Sequence, residues 1–417
     1  DVKGVVISSL EKVTASYQSS NPKVNRLWKN LVWSNIDNFL TVPTDCPQRD
    51  ERMGWSGDIS VFAPTATYLS NSDPFLARHL LAMRDMQESS GRFTDIAPVG
   101  GGFGGILWGS AGLTVLWEVY QQFGDLFLLE QHYKAMCAYI DYLNSNIDSK
   151  TGRIADAILG DWLSPQNNQL CSAYLAAAYH AYDLGIITKV AALLGKKEDA
   201  ARFGKMYGER KAAFNRTFVN ADKKTVSVTG EGYGQRGKTP EWKVADLQTT
   251  YAVGLALNLF SDENKPFMQQ NLLEAVRREN KDDSGILRPS YSLMTGFIGT
   301  SWISKALSDC GYSDAAYRLL QTETYPSWLY PVNQGATTIW ERLNGYTVEN
   351  GFGGHNTMNS FNHYSFGAVG RWLVAYSLGI QRDEPGFHHF ILQPEQDPSG
   401  QMTHAEGYYD SPYGRIE

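Results

Sequence analysis

Seven consecutive residues, Tyr251-Ala252-Val253-Gly254-Leu255-Ala256-Leu257, carry no charge and are apolar on nearly every side of a helical wheel. A helix of that kind has no solvent face and must be enclosed by other elements. It sits in a chain whose apolar residues recur at helical spacing near 57–70, 74–88, 107–123, 126–146, 171–194, 197–217, 246–260, 264–280, 296–310, 313–323 and 360–379. An earlier one starts at Asn21, which precedes Pro22 and an apolar face of Val24, Leu27, Trp28, Leu31, Val32 and Ile36. Other starts are marked by Asp73-Pro74, Gly124-Asp125, Asp246, and Gly311 before Ser313. About twelve helices result, mostly in close pairs, with buried and amphipathic ones in turn. The pattern predicts a mainly α protein whose helices form two concentric layers, an (α/α)6 barrel, over residues 21–380.

The two ends have a different texture. Val5 to Leu10 and Val13 to Tyr17 read as strand fragments, so 1–20 is expected to be the end of an N-terminal β region or a strap. After Gly379, Phe387 to Leu392 and His404 to Tyr409 read as strands broken by Pro and Gly. Residues 381–417 are therefore expected to begin a C-terminal β-sandwich, and the sequence to be a piece of a longer protein.

A hydrophobic share of 42% and a charged share of 19% suit a globular chain with a large core. The net charge of −7 argues against nucleic acid or an anionic membrane surface as partner. No apolar run reaches spanning length, and no signal peptide is visible. A periplasmic or extracellular place is favoured over the cytoplasm, and the oligomeric state is left open. Cys46, Cys137, Cys171 and Cys310 form no CxxC pair, so neither a zinc site nor a disulfide framework is expected. The 11 Trp and 23 Tyr mostly fill the core, yet they also suit sugar rings, whose C–H faces stack on aromatic rings.

Chemistry concentrates in Thr44-Asp45-Cys46-Pro47-Gln48-Arg49-Asp50-Glu51-Arg52-Met53-Gly54-Trp55-Ser56-Gly57-Asp58. Pro47, Gly54 and Gly57 make this a loop running into a helix. A distant second acid, Glu341, is embedded in the otherwise uncharged run Gly335 to Trp340. Two carboxylates facing each other across a pocket are what glycoside hydrolysis needs. The plainer alternatives are that Asp50 and Glu51 pair with Arg49 and Arg52 at the helix start, and that Glu341 lies on the surface beside Arg342.

Asp45 to Arg52 followed by Gly54-Trp55-Ser56-Gly57-Asp58 resembles the signature of the family-78 glycoside hydrolases, the bacterial α-L-rhamnosidases. Gly160-Asp161-Trp162-Leu163, Thr295 to Thr300, Gly335 to Arg342 and Phe361 to Gly367 match in order and rough spacing. The resemblance implies an (α/α)6 barrel flanked by β-sandwich domains, and an inverting exo-glycosidase that releases terminal α-L-rhamnose without a cofactor or metal. It makes Glu51 the general acid and Glu341 the general base, separated by roughly 6.5–9.5 Å to admit a water. It places Asp45, Arg49, Trp55, Asp58, Asp161, Trp162 and His363 around the sugar, with Asp45 and Asp58 accepting from hydroxyls and His363 donating. Trp108 and Trp340 are further substrate-binding candidates. Ser110 departs from the pattern, since many relatives carry an acid after Trp-Gly at that place.

Rival readings are an (α/α)6 glycosidase for another sugar, a catalytically silent carbohydrate-binding homologue, and a helical-hairpin scaffold. A silent module would lack one carboxylate, and a scaffold would show a repeated motif; the chain has both acids and no such repeat. Gly100 to Gly105 contains a formal GxGxxG without a preceding strand, so it reads as a loop and not a nucleotide site. Asp282-Asp283-Ser284-Gly285 reads as a turn, and His388-His389, pointing to opposite strand faces, does not read as a metal site.

Overall fold

A computed structural model describes residues 2–102, 104–154, 159–166, 170–230, 239–353 and 358–417. In chain order these hold β1 (Ala15–Ser19), α1 (Pro22–Asn38), α2 (Ser56–Leu69), α3 (Asp73–Asp85), α4 (Ile106–Gly109), α5 (Ala111–Phe123), α6 (Leu126–Ser145), α7 (Ser172–Leu193) and α8 (Lys197–Phe218). There follow β2 (Val226–Thr229), β3 (Glu241–Val244), α9 (Gln248–Ala256), α10 (Lys265–Arg277), β4 (Asn280–Lys281), β5 (Leu287–Arg288), α11 (Phe297–Asp309), α12 (Ser313–Gln321) and α13 (Leu329–Asn333). The last strands are β6 (Ile380–Arg382), β7 (Phe390–Leu392), β8 (Ala405–Ser411) and β9 (Gly414–Ile416).

The mainly helical reading holds, and burial alternates along the chain. Most positions of α2, α5, α7, α9 and α11 are buried. The helix after each is amphipathic: α8 buries only Phe203, Phe214 and Phe218, while its charged residues face water. α7 packs on α8 and α9 on α11, and α2 packs on α5. α1 starts as its sequence dictates, with Asn21 Oδ1 accepting the amides of Lys23 at 3.0 Å and Val24 at 3.4 Å.

The two ends of the chain meet. β1 pairs antiparallel with β8, from Ala15↔Tyr409 to Ser19↔Ala405, and β8 pairs with β9. Arg382 ties the C-terminal segment to α5 by a bidentate pair with buried Glu118, at 2.6 and 2.9 Å.

Three expectations are corrected. Residues 5–10 form no strand; Val5, Val6 and Ile7 are 62 to 77% exposed and have no partner strand to give them a buried face. The helix expected over 360–379 is a 3-10 turn (Ser365–Val369), one α turn and a π turn (Leu373–Ser377). Gly367 and Gly370 sit in that stretch against Leu31, Phe62 and Thr65, so the backbone comes closer than side chains would allow. Asp246 does not start α9; its carboxylate takes Tyr251 and Arg278 instead, and the helix begins two residues later.

Candidate active site

The acidic loop is held by its own residues before α2 begins. The Asp45 amide donates to Met53 O at 3.0 Å, and Asp45 Oδ1 accepts the Met53 amide at 2.9 Å. Arg52 turns the chain between them in the left-handed region, at φ 51°. The fold then brings this loop to the segment holding Glu341. Asp45, Arg49, Glu51, Trp55, Asp58, Trp108, Trp162, Glu341 and His363 line one cavity of about 80 Å³, together with Leu159, Phe297 and Met358.

Arg49 is the hub. Nη1 lies 2.6 Å from Glu341 Oε2, and Nη2 lies 2.5 Å from Glu51 Oε2 and 3.2 Å from Asp45 Oδ2. Nη1 also donates to the Met358 carbonyl at 2.9 Å. Burial works against its charge, but Glu341 and the other acids outweigh it and raise the pKa above its ordinary value. The pairing alternative is thus realised for Glu51 within the cavity itself. Asp50 is fully exposed and has only a 3.5 Å contact with Arg52.

The two candidate acids differ in what their oxygens meet. Glu51 has both engaged, Oε1 accepting Trp55 Nε1–H at 2.7 Å and Oε2 accepting Arg49. Glu341 is 4% exposed, so it is no surface acid. Its Oε2 accepts Arg49 and the Ser360 amide at 2.9 Å, whereas Oε1 has no hydrogen-bond partner among the described residues.

Asp58 lies in the first turn of α2, where a carboxylate suits the helix dipole. Its Oδ1 lies 3.0 Å from His363 Nε2 and accepts Ser365 Oγ at 3.2 Å. His363 Nδ1 faces the Ser365 amide at 3.3 Å, which assigns the ring proton to Nε2. His363 therefore donates to Asp58 and not outward. Burial pulls its pKa down, but Asp58, Glu341 and Asp45 outweigh this and raise it above 6.5. Burial pushes the Asp45 carboxyl up to about 6.

Trp108 is fixed by close packing: a Cβ on Gly57 or on Gly104 would overlap its ring. Ser110, two residues on, donates to buried Asp183 Oδ2 at 2.5 Å, a partner the sequence did not point to. Trp162 is set by its carbonyl, which accepts the Phe297 amide at 3.0 Å.

Two expected site residues do not line the cavity. Asp161 is fully buried at the start of α11: Oδ1 accepts the amides of Ile298 and Gly299 at 2.9 and 3.0 Å, and Oδ2 those of Gly296 at 2.7 Å and the Thr249 hydroxyl. It caps that helix and anchors the neighbouring Trp162. Trp340 packs edge-on against Phe361, with ring centroids 5.0 Å apart. Of the lining residues missed by sequence reasoning, Phe297 and Leu159 lie in or beside the matched motifs; nothing local marks Met358.

Asp45, Cys46 and Glu51 bring ligand atoms within 4.8 Å of one another. Arg49 already lies on two of them, so a positive charge stands where a cation would sit, and the Cys46 thiol donates to Asp45 Oδ2 at 3.0 Å. These residues do not fit a metal. All four cysteines are free thiols, and no helix among the described residues is long and apolar enough to cross a membrane.

Residues 12–376 match the bacterial alpha-L-rhamnosidase 6 hairpin glycosidase domain, and residues 379–417 match the bacterial alpha-L-rhamnosidase C-terminal domain. An alpha-L-rhamnosidase of Streptomyces avermitilis is 37% identical over 417 residues, covering 100% of this chain and 37% of the relative. One of Formosa agariphila is 34% identical over 424 residues, covering 100% and 42%. The crystal structure of the Streptomyces avermitilis alpha-L-rhamnosidase complexed with L-rhamnose superposes with a TM-score of 0.85 at 35% identity, covering 98% of this chain and 36% of that one. The native Aspergillus terreus enzyme follows at 0.84 and 28% identity, covering 98% and 45%. The chain thus spans well under half the length of the curated relatives it matches. By the match over residues 12–376 and these identities, the chain belongs to the bacterial alpha-L-rhamnosidase family of six-hairpin glycosidases.

Proposed function

We propose that the chain carries the catalytic centre of an inverting exo-α-L-rhamnosidase, removing terminal non-reducing rhamnose from glycosides or polysaccharides. The observation that carries this reading is that Glu51 and Glu341, from opposite parts of the sequence, share one guanidinium in one aromatic-lined cavity. Glu51 acts as the acid: it protonates the glycosidic oxygen as the bond to the anomeric carbon breaks. Glu341 acts as the base: its unpartnered Oε1 takes the proton of a water that attacks the opposite face. No cofactor takes part. Trp108, Trp162 and Phe297 offer dry faces to a 6-deoxy sugar with its methyl group, and Asp45 and Asp58 orient the hydroxyls. Asp161 and Trp340 act as positioning residues behind this shell.

The same reading extends to architecture. The alternation of buried and amphipathic helices, and the six-hairpin description of the matched domain, support an (α/α)6 barrel over 21–380. A separate C-terminal match starting at residue 379 supports a further unit at 381–417, with 1–20 as a strap.

The test is hydrolysis of an aryl α-L-rhamnoside by the chain and by Glu51→Gln and Glu341→Gln, with the released anomer followed by NMR. The β anomer should appear first, and each variant should lose about 100-fold or more in kcat. Release of the α anomer first, or activity surviving either change, would overturn the assignment.

A further inference from the structure

The segment holding Glu341 and the acidic loop are joined twice. One link is the ion pair from Arg49 to Glu341. The other carries no charge: Gln48, the residue before Arg49, donates from Nε2 to Ser360 Oγ at 2.8 Å. Ser360 is fully buried, and its backbone holds Glu341 from two sides. Its amide donates to Glu341 Oε2 at 2.9 Å, and its carbonyl accepts the Glu341 amide at 2.9 Å. We infer, resting on the rhamnosidase reading above, that Gln48 and Ser360 are positioning residues for that reaction: they aim the base and fix its distance from the acid loop.

Ser360 stands on a firm support. The His363 amide donates to the Ile339 carbonyl at 2.8 Å, so residues 339–341 and 360–363 are tied at both ends. Asn362 anchors this pair of segments to α1, donating from Nδ2 to Asp37 Oδ2 at 2.8 Å. The Ser360 hydroxyl accepts the Asn362 amide at 3.1 Å and donates to the Asn362 carbonyl at 3.1 Å. With Gln48 as the second donor, its one proton and both acceptor positions are used. A hydroxyl so engaged has one orientation, and the Gln48 side chain is held against it.

The two links respond differently to the reaction. When Glu341 takes the proton of the attacking water it becomes neutral, and its attraction to Arg49 weakens. The Gln48 bond joins two neutral groups, so the proton transfer does not change it. The Ser360 amide occupies Oε2 before and after the step, which leaves Oε1 as the oxygen that takes the proton. A base held this way keeps its aim through the step, and losing that aim costs rate and not affinity.

The experiment follows kcat and KM on two aryl α-L-rhamnosides, one with a phenyl and one with a dinitrophenyl leaving group. The wild-type chain is set beside Gln48→Ala, Ser360→Ala and the double variant, with Glu51→Gln and Glu341→Gln as references. Gln48 is exposed, so truncating it leaves the core intact. Each single variant should lose roughly 3- to 10-fold in kcat, with KM within about twofold of wild type. The double variant should lose little more than the worse single, because both changes break the same bond. The loss should be equal on the two substrates: dinitrophenolate leaves without a proton, which relieves a defect in the acid but not one in the base. Glu51→Gln should accordingly recover on the dinitrophenyl substrate. An unchanged kcat in Gln48→Ala, full additivity in the double variant, a loss carried by KM, or a loss confined to the phenyl substrate would overturn the positioning role. The rhamnosidase reading would then still stand on the loss in Glu341→Gln. A wild-type chain that turns over neither substrate, or a fully active Glu341→Gln, would overturn both.

Discussion

Arg49 and Glu341, far apart in sequence, are joined by a 2.6 Å ion pair, and the adjacent nitrogen of the same guanidinium holds Glu51 at 2.5 Å. One cation thus stands among three carboxylates, of which Asp45 is 2% and Glu341 4% exposed. Removing it by Arg49→Met leaves buried like charges unpaired, which should destabilise the fold by about 3 kcal/mol or more. The loss should be larger at about pH 8 than at about pH 5. Burial pushes Asp45 up to about 6, so it is protonated at the lower pH and the repulsion is relieved. Urea unfolding at both pH values checks this; an equal loss at the two would contradict it.

Trp55 gives Glu51 its second hydrogen bond, from Nε1 to Oε1 at 2.7 Å. Trp55→Phe keeps most of the ring and removes the donor. A single hydrogen bond is worth about 0.5–1.5 kcal/mol net, so rhamnoside hydrolysis should fall by roughly 2- to 10-fold. The thermal midpoint should barely move. Steady-state kinetics beside a melting curve would separate this from a folding defect.

Gly57 and Trp108 are in close packing, and a Cβ on the glycine would overlap the indole. Overpacking of this kind costs about 1–3 kcal/mol. Gly57→Ala should therefore lower stability by that order and, because Trp108 lines the cavity, raise KM for a rhamnoside. An unchanged KM would show that the indole has room to shift without altering the site.

His79 is 1% exposed, and neither ring nitrogen has a hydrogen-bond partner among the described residues. Burial lowers its pKa from 6.5 to about 4, so below pH 6.5 the unfolded chain gains a proton that the folded chain refuses. Wild-type stability should fall as pH drops from about 6.5 to about 4, with His79 contributing roughly 3 kcal/mol of that fall. His79→Leu should gain about 1–2 kcal/mol at neutral pH by removing two buried unpaired polar atoms. It should also unfold less steeply in acid. Denaturant midpoints between about pH 4 and about pH 7 test both parts.

What the sequence determined by itself is the part governed by local physics. The period of apolar residues marks most helices, Asn21-Pro22 starts α1 where expected, and fully apolar runs such as Tyr251 to Val253 are buried. The motif from Asp45 to Asp58, with Glu341 and Trp162, pointed to residues that line one cavity. Local period failed where a distant surface overrode it. The stretch after Ser365 departs from a regular helix because Gly367 and Gly370 press against α1 and α2.

The tertiary structure decided which partner each charge meets. Both Asp161 and Asp45 looked like sugar ligands in the motif, yet one caps α11 out of the cavity and the other lines it on Arg49. Arg342 looked like an ordinary neighbour of Glu341, yet it lines a second cavity, and its buried Nε has no hydrogen-bond partner among the described residues. Capping and periodicity act within a few residues, so one segment carries them. Ion pairing and desolvation depend on which segments the fold brings together, and those segments lie hundreds of residues apart in this chain.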